Sequence, residues 1–116
     1  MQIHVKRAYS PVEAEDGLRV LVDRLWPRGI KKEDAKIDLW PKEITPSTTL
    51  RQAYHQDVIG WEEFREKYLL ELEQYPETLA ELRHLLQQHN MTLITAAKNE
   101  THNHAVLLQA LLQQAI

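Results

Sequence analysis

The chain of 116 residues contains no cysteine, and this absence removes several kinds of chemistry. Without a thiol there can be no disulfide, no thiolate nucleophile and no zinc site built on thiolates. The sequence also lacks an apolar run of the roughly 18–20 residues that a membrane-spanning helix needs. Residues 1–7 show no apolar core of the type found in secretory signal peptides. We therefore expect a cytoplasmic protein that does not enter a membrane.

Familiar cofactor and catalytic motifs are missing as well. There is no G-x-G-x-x-G string, no P-loop and no H-E-x-x-H pair, so dinucleotide, nucleoside triphosphate and zinc-protease interpretations have no support. Ser47 does not lie in a G-x-S-x-G turn, which argues against a nucleophilic serine. The net charge of −3 disfavours nucleic acid as a partner, because non-specific binding to phosphates needs a positive field. We expect no cofactor and no metal.

What remains is the composition of a globular domain. The chain is 43% hydrophobic and 27% charged, which is ordinary for a domain that buries a core. No internal repeat, linker or low-complexity segment divides residues 1–116, so we expect a single domain. The leucine-rich last helix could provide a core face or the interface of a homodimer.

Alternating and helical patterns predict an α/β fold. Residues 2–7, 19–23 and 91–97 are typical of strands. Residues 37–44 predict an edge strand or extended segment, because Pro41 interrupts them. Helices are expected after Ser47 as N-cap, over about 60–75, from Pro76 to Asn90, and over about 102–115 with Thr101 as cap. We expect a compact domain with a mostly parallel sheet of about four strands and helices on both faces.

Charged side chains follow the end of each main strand. In open α/β sheets, ligands bind beyond the carboxyl ends of parallel strands, so these side chains should meet at one crevice. They are Arg7 after the first strand, Asp23, Arg24 and Arg28 after the second, and Lys98, His102 and His104 after the last. A chain that is acidic overall would then have a locally basic pocket for an anionic small molecule.

Each of these residues has a structural alternative. Arg24 and Arg28 suit bidentate binding of phosphate or carboxylate, but Arg24 could instead pair with Asp23 or a nearby glutamate as a clamp that holds the loop. Arg7 is expected to be half-buried and to pair with Asp23 or Asp16. The amide groups at the start of the last helix could bind an anion, or Thr101 could merely cap that helix.

Proton transfer is the role considered for Asp23 and His102. Histidine titrates near neutrality, and a carboxylate beside arginines can act as a base or can only orient them. His102 and His104 lie two residues apart, which on a helix points them in different directions and disfavours a shared metal.

The distinctive strings resemble a known family. Arg-Ala-Tyr at 7–9, Asp-Arg-Leu-Trp-Pro-Arg-Gly at 23–29 and His-Asn-His-Ala at 102–105 resemble the YeaO-like branch of domain-of-unknown-function family 488, over essentially the whole chain. The resemblance implies a cytoplasmic bacterial or archaeal α/β protein and supplies no established activity. In the wider family the closing loop often contains a C-H-R string, which aligns with Asn103-His104-Ala105. Neither the cysteine nor the arginine is present here, so thiol chemistry suggested for relatives does not transfer.

Two functions remain open at this point. The first is a small enzyme that holds a phosphate- or carboxylate-bearing metabolite or nucleotide on Arg7, Arg24, Arg28 and Lys98, with Asp23 or His102 transferring protons. The second is a non-catalytic module that binds a nucleotide, a nucleic-acid end or a protein partner in the same crevice.

Overall fold

Three short parallel strands form the sheet. In the computed structural model, which describes residues 1–114, strand β1 (Ile3–Arg7) and strand β2 (Leu18–Leu21) both pair with strand β3 (Met91–Thr95). The strand order is β1-β3-β2, with Ile3 and Leu18 both opposite Met91. All five residues of the central strand are buried, as expected for a strand covered on both faces. The predicted parallel sheet is confirmed, and the three strands end at one edge.

The expected fourth strand is not formed in the described chain. Of residues 37–44, only Leu39 bridges to Val20, where Leu21 donates its amide to the Leu39 carbonyl at 2.9 Å. A short 3-10 helix (Lys42–Ile44) then follows Pro41. Proline has no amide hydrogen to donate, so a ladder cannot continue through it. The sheet therefore has three strands rather than about four.

The described residues also form five α-helices: α1 (Lys32–Ala35), α2 (Thr48–His55), α3 (Trp61–Leu72), α4 (Pro76–Leu86) and α5 (His104–Gln113). Ser47 caps α2 as predicted, since its Oγ accepts the Leu50 amide at 3.2 Å. Helix α5 begins later than expected, because Asn103 and not Thr101 is its N-cap; the Asn103 side chain accepts the Val106 amide at 2.9 Å. The predicted helix end at residue 115 lies outside the described residues.

The main core lies between one face of the sheet and helices α2 to α5. Strand residues such as Val20 and Leu93 pack with Phe64, Tyr68 and Leu108 in one buried cluster. The fully buried Tyr68 donates its hydroxyl to the Ile44 carbonyl at 2.6 Å. Within residues 1–114, no helix is long and apolar enough to cross a membrane.

The second face is covered mainly by irregular chain and the one-turn helix α1. There Ala8, Leu21 and Ile94 pack against Trp26 and Trp40. The four longer helices therefore share one face, whereas loops cover the other.

A buried ionic network also lies on the second face. Asp16 accepts hydrogen bonds from Arg19 at 2.6 Å and from Lys6 at 2.9 Å, and Arg19 also donates to the Ala35 carbonyl. Burial acts to raise the pKa of the Asp16 carboxyl, but the Glu13 amide and the two cations outweigh it and lower the pKa. Arg7 was expected to pair with Asp16 or Asp23. Lys6 and Arg19 hold Asp16 instead, because they project from the strands onto the face where Asp16 is buried.

Candidate functional site

Asp23 ties together three chain segments at the carboxyl edge of the sheet. Its Oδ1 accepts the Thr95 hydroxyl at 2.7 Å and faces His104 Nε2 at 2.8 Å, while its Oδ2 accepts the Ala96 amide at 2.7 Å. We call these four residues the Asp23 clasp. The clasp joins the chain after β2 to the end of β3 and to the first residue of α5.

Both ionisable side chains of the clasp are largely shielded from water. The side chains of Asp23 and His104 are 17% and 13% exposed. Burial acts to raise the pKa of Asp23, but the hydrogen bond and charge of His104, with the Ala96 and Thr95 donors, lower it overall. His104 Nε2 also lies 3.0 Å from the Val22 carbonyl. Because both partners of Nε2 are acceptors, this nitrogen carries the proton.

Two asparagines order the loop that leads from β3 to His104. Asn99 Oδ1 accepts the amides of Thr101 and His102 at 3.0 and 2.9 Å. Asn103 donates to the Asn99 carbonyl at 2.7 Å while its oxygen caps α5. Asparagine favours such local turns because its side chain can pair with nearby backbone groups. The loop is therefore held from within, and it fixes the position of His104.

A cleft of about 350 Å³ lies beside the clasp and shares Thr95 with it. The cleft is lined by Val5, Lys6, Arg7, Ser10, Thr95, Ala97, Glu100 and Asn103. We call it the Arg7 cleft. Arg7 donates its Nε to the Ala97 carbonyl at 3.2 Å, and its guanidinium lies 5.4 Å from the centre of the Tyr9 ring. Within residues 1–114, the two terminal nitrogens of Arg7 make no hydrogen bond, so they are free to donate to a ligand.

The structure does not bring all the predicted residues to one crevice. Arg7 lines the cleft, whereas Asp23 and His104 lie behind Thr95 in the clasp. Arg24 donates to the carbonyls of Pro46 and Thr45 at 3.2 and 3.3 Å, so it holds its loop through backbone acceptors and not through Asp23.

The other three predicted residues lie at the surface. The side chains of Arg28 and Lys98 are exposed, and the Arg28 carbonyl accepts the Tyr9 hydroxyl at 3.2 Å. His102 stacks on Trp61 with 4.7 Å between ring centres and 9° between ring planes. Between the two histidines of the closing loop, it is His104 and not His102 that pairs with Asp23.

Two tryptophans hold the loop after β2. Trp40 donates to the Asp23 carbonyl at 2.7 Å, and Trp26 donates to the Ile30 carbonyl at 2.6 Å. The two rings meet edge to face at 5.5 Å. Gly29 turns the chain with a φ of 83°, a value that side chains disfavour. The loop after β2 is therefore held by the packing and hydrogen bonds of the two tryptophans.

Sequence reasoning did not select Thr95, Glu100 or Ser10 as site residues. Thr95 was read as part of a buried strand, and its place at the carboxyl end of β3 was the available signal. Glu100 and Ser10 lie in polar loops where nothing in the sequence pattern distinguishes them. In the described part of the chain, no three histidine or acidic side chains form a group that could hold a metal ion.

Comparison with known proteins places this arrangement in a family. Residues 2–116 match the family described as the inactive DUF488-N3 subclade. The chain is 52% identical to the uncharacterized protein YeaO of Escherichia coli over 108 residues, which is 93% of this chain and 94% of YeaO. It is 40% identical to the uncharacterized protein Rv3073c of Mycobacterium tuberculosis over 111 residues, which is 96% of this chain and 93% of that protein. No solved structure matches significantly. The chain therefore belongs to the YeaO-like proteins of the DUF488 family.

Proposed function

We propose that the protein is a non-catalytic binding module that takes a small anionic molecule, bearing a carboxylate or a phosphate, in the Arg7 cleft. The observation that carries the proposal is the state of Arg7. Its Nε is fixed by the Ala97 carbonyl, the residue lines the cleft, and its terminal nitrogens have no hydrogen-bond partner among residues 1–114. A guanidinium held in this way can donate a bidentate pair of hydrogen bonds to an anion.

The lining of the cleft restricts the charge of the ligand. Lys6 contributes little free charge, because its ammonium is bound to Asp16, Glu13 and the Pro11 carbonyl. Glu100 adds a negative charge to the wall. One available arginine opposite one glutamate suits a ligand with a single anionic group better than a polyphosphate. The volume of about 350 Å³ falls in the range of small-molecule pockets.

Three observations favour binding without catalysis. The Asp23 carboxylate already accepts three hydrogen bonds, so it is not poised to take a proton. Of the clasp, Thr95 lines the cleft, whereas Asp23 and His104 are not among the lining residues. The matching family is described as inactive, and this chain has Asn103 as a helix cap where a cysteine would stand in the C-H-R string.

An enzyme is the second candidate, and the Asp23–His104 pair is the observation that favours it. A carboxylate that fixes one imidazole nitrogen leaves the other available as a general base, as in many hydrolases. In this alternative the anion would be held by Arg7 with help from Lys98, Arg28 or Arg24. His102 would have to leave Trp61 to take part in proton transfer.

A titration with phosphate and simple carboxylates, followed by thermal unfolding, tests the first proposal. A ligand that binds only the folded state raises the free energy of unfolding by about 2.7 kcal/mol when its concentration is a hundred times its dissociation constant. Arg7→Gln should abolish the rise in melting temperature, while the exposed Arg28→Gln serves as the matched control. Glu100→Gln should strengthen anion binding because it removes a like charge from the wall. Stabilisation that survives Arg7→Gln but is lost in Arg28→Gln would place the anion elsewhere.

The two candidates differ in what His104 does. If the protein only binds, neither the wild type nor His104→Gln should convert a ligand that stabilises the wild type. Product formation from a stabilising ligand, lost in His104→Gln and retained in His102→Gln, would establish the enzyme instead.

A further inference from the structure

A second, apolar groove lies on the helical side of the molecule, away from the strand ends. It has a volume of about 550 Å³ and runs between helices α3, α4 and α5. Its walls come from Leu69, Leu70 and Leu72 of α3, from Leu79 of α4 and from Leu111 of α5. The side chain of Leu70 is 61% exposed. The lining of this groove is apolar apart from two glutamates.

Two carboxylates lie at the margins of this groove. Glu66 of α3 and Glu73, the C-cap residue directly after α3, line it together with the leucines and are seven residues apart. Seven residues are almost two helical turns, so the two side chains leave the same face about 10 Å apart, with Leu69 and Leu70 between them.

The negative charge of this rim is not neutralised within the described chain. Among the ion pairs of residues 1–114, Lys67 is bound to Glu63 at 2.9 Å, and neither Glu66 nor Glu73 has a cationic partner. The groove thus presents an apolar floor between two unpaired carboxylates.

We propose that this groove is the docking site for an amphipathic, basic helix of a partner protein. Leucine-sized side chains at i, i+3 and i+4 of that helix would enter the apolar floor, as in other helix-in-groove complexes. A lysine or arginine at each margin, about two turns apart, would pair with Glu66 and Glu73. Charge complementarity selects this occupant over a second copy of the chain, because a two-fold dimer would bring two acidic rims together.

The test uses a fluorescent synthetic helix with leucines on one face and lysines two turns apart at its margins. Fluorescence anisotropy should show saturable binding that weakens as salt rises. A control peptide with glutamates in place of the lysines should bind at least about tenfold more weakly. Failure of the lysine peptide to bind, or equal affinity for both peptides, overturns the proposal.

Variants of the protein locate the contact. Leu70→Glu should weaken binding at least about tenfold. Val58→Glu is the matched control, since Val58 is 71% exposed and lies outside the groove. The double change Glu66→Lys with Glu73→Lys should reverse the preference toward the glutamate peptide. The proposal of a partner helix is refuted if the double variant still prefers the lysine peptide. It is also refuted if the wild type forms a dimer that Leu70→Glu dissociates.

Discussion

Replacing Asp23 by asparagine should destabilise the protein by about 2–3 kcal/mol at neutral pH. The carboxylate accepts from Thr95, Ala96 and His104 at 2.7, 2.7 and 2.8 Å. Hydrogen bonds to a charged group contribute roughly 1.5–3 kcal/mol each. Asparagine keeps the size and one acceptor oxygen, but it turns an NH2 group toward a partner that is itself a donor. The variant therefore loses at least one charged hydrogen bond and leaves a shielded donor unpaired.

Urea unfolding at pH 7 measures this loss, and a parallel thermal scan should show a melting temperature lower by about 10 °C. Asp34→Asn is the matched control, because Asp34 is exposed in the short helix α1. A difference between wild type and Asp23→Asn below about 0.5 kcal/mol, which is the usual effect of a surface substitution, would refute the structural role of the clasp.

The pH dependence of the stability of wild type and Asp23→Asn shows how much the charge of Asp23 contributes, apart from the shape of the side chain. The pKa of Asp23 is lower in the folded protein than in the unfolded chain. Its ionisation therefore adds stability above the unfolded pKa of about 4, and this contribution is lost as the pH falls through the lower folded pKa. The stability difference between wild type and Asp23→Asn should therefore shrink as the pH falls below about 5. A constant difference over that range would show that the charge contributes nothing.

The remaining predictions concern local backbone and capping contacts, each measured by urea unfolding. Ser47→Ala should cost about 1–2 kcal/mol, because the hydroxyl caps α2. Gly17→Ala should cost at least about 2 kcal/mol, since Gly17 has a φ of 64° and an added Cβ would lie 2.1 Å from the Asn90 carbonyl oxygen; Gly60→Ala, in open space, is the control. Arg24→Gln should cost about 1 kcal/mol and leave anion binding unchanged, as it binds only loop carbonyls.

Local patterns were sufficient to locate most of the elements. The apolar, β-branched strand β3, the Ser47 cap and Pro46 before it, and Pro76 at the start of α4 are signals that act over a few residues. Because these signals do not depend on tertiary contacts, they predict the elements correctly from the sequence. For residues 37–44 the local signals conflict, because apolar residues that favour a strand surround Pro41. How far the strand pairing extends is decided by the tertiary contact with Val20, which pairs with Leu39 alone.

The candidate site was harder to predict because it depends on which way each side chain turns. The sequence places Arg24 directly after Asp23, and an ion pair between neighbours seemed natural. The guanidinium instead reaches the carbonyls of Thr45 and Pro46, which lie more than twenty residues away in the chain. Similarly, Asn103 and Thr101 are both good caps, and the choice between them decides whether His102 or His104 faces Asp23. A shift of two residues in the position of the cap thus changes which histidine belongs to the site.

A chain of hydrogen bonds connects the clasp to the proposed anion site. Asp23 receives the Thr95 hydroxyl, the same hydroxyl oxygen accepts the Ala97 amide at 3.1 Å, and the Ala97 carbonyl accepts Arg7 Nε. An anion would engage the terminal nitrogens of Arg7 and would leave this chain intact. Binding would then need no rearrangement of the clasp, and the cost of ordering the arginine would already be met in the free protein. Under the proposed binding function, the Asp23–His104 pair would serve the cleft by fixing its wall and would not transfer protons.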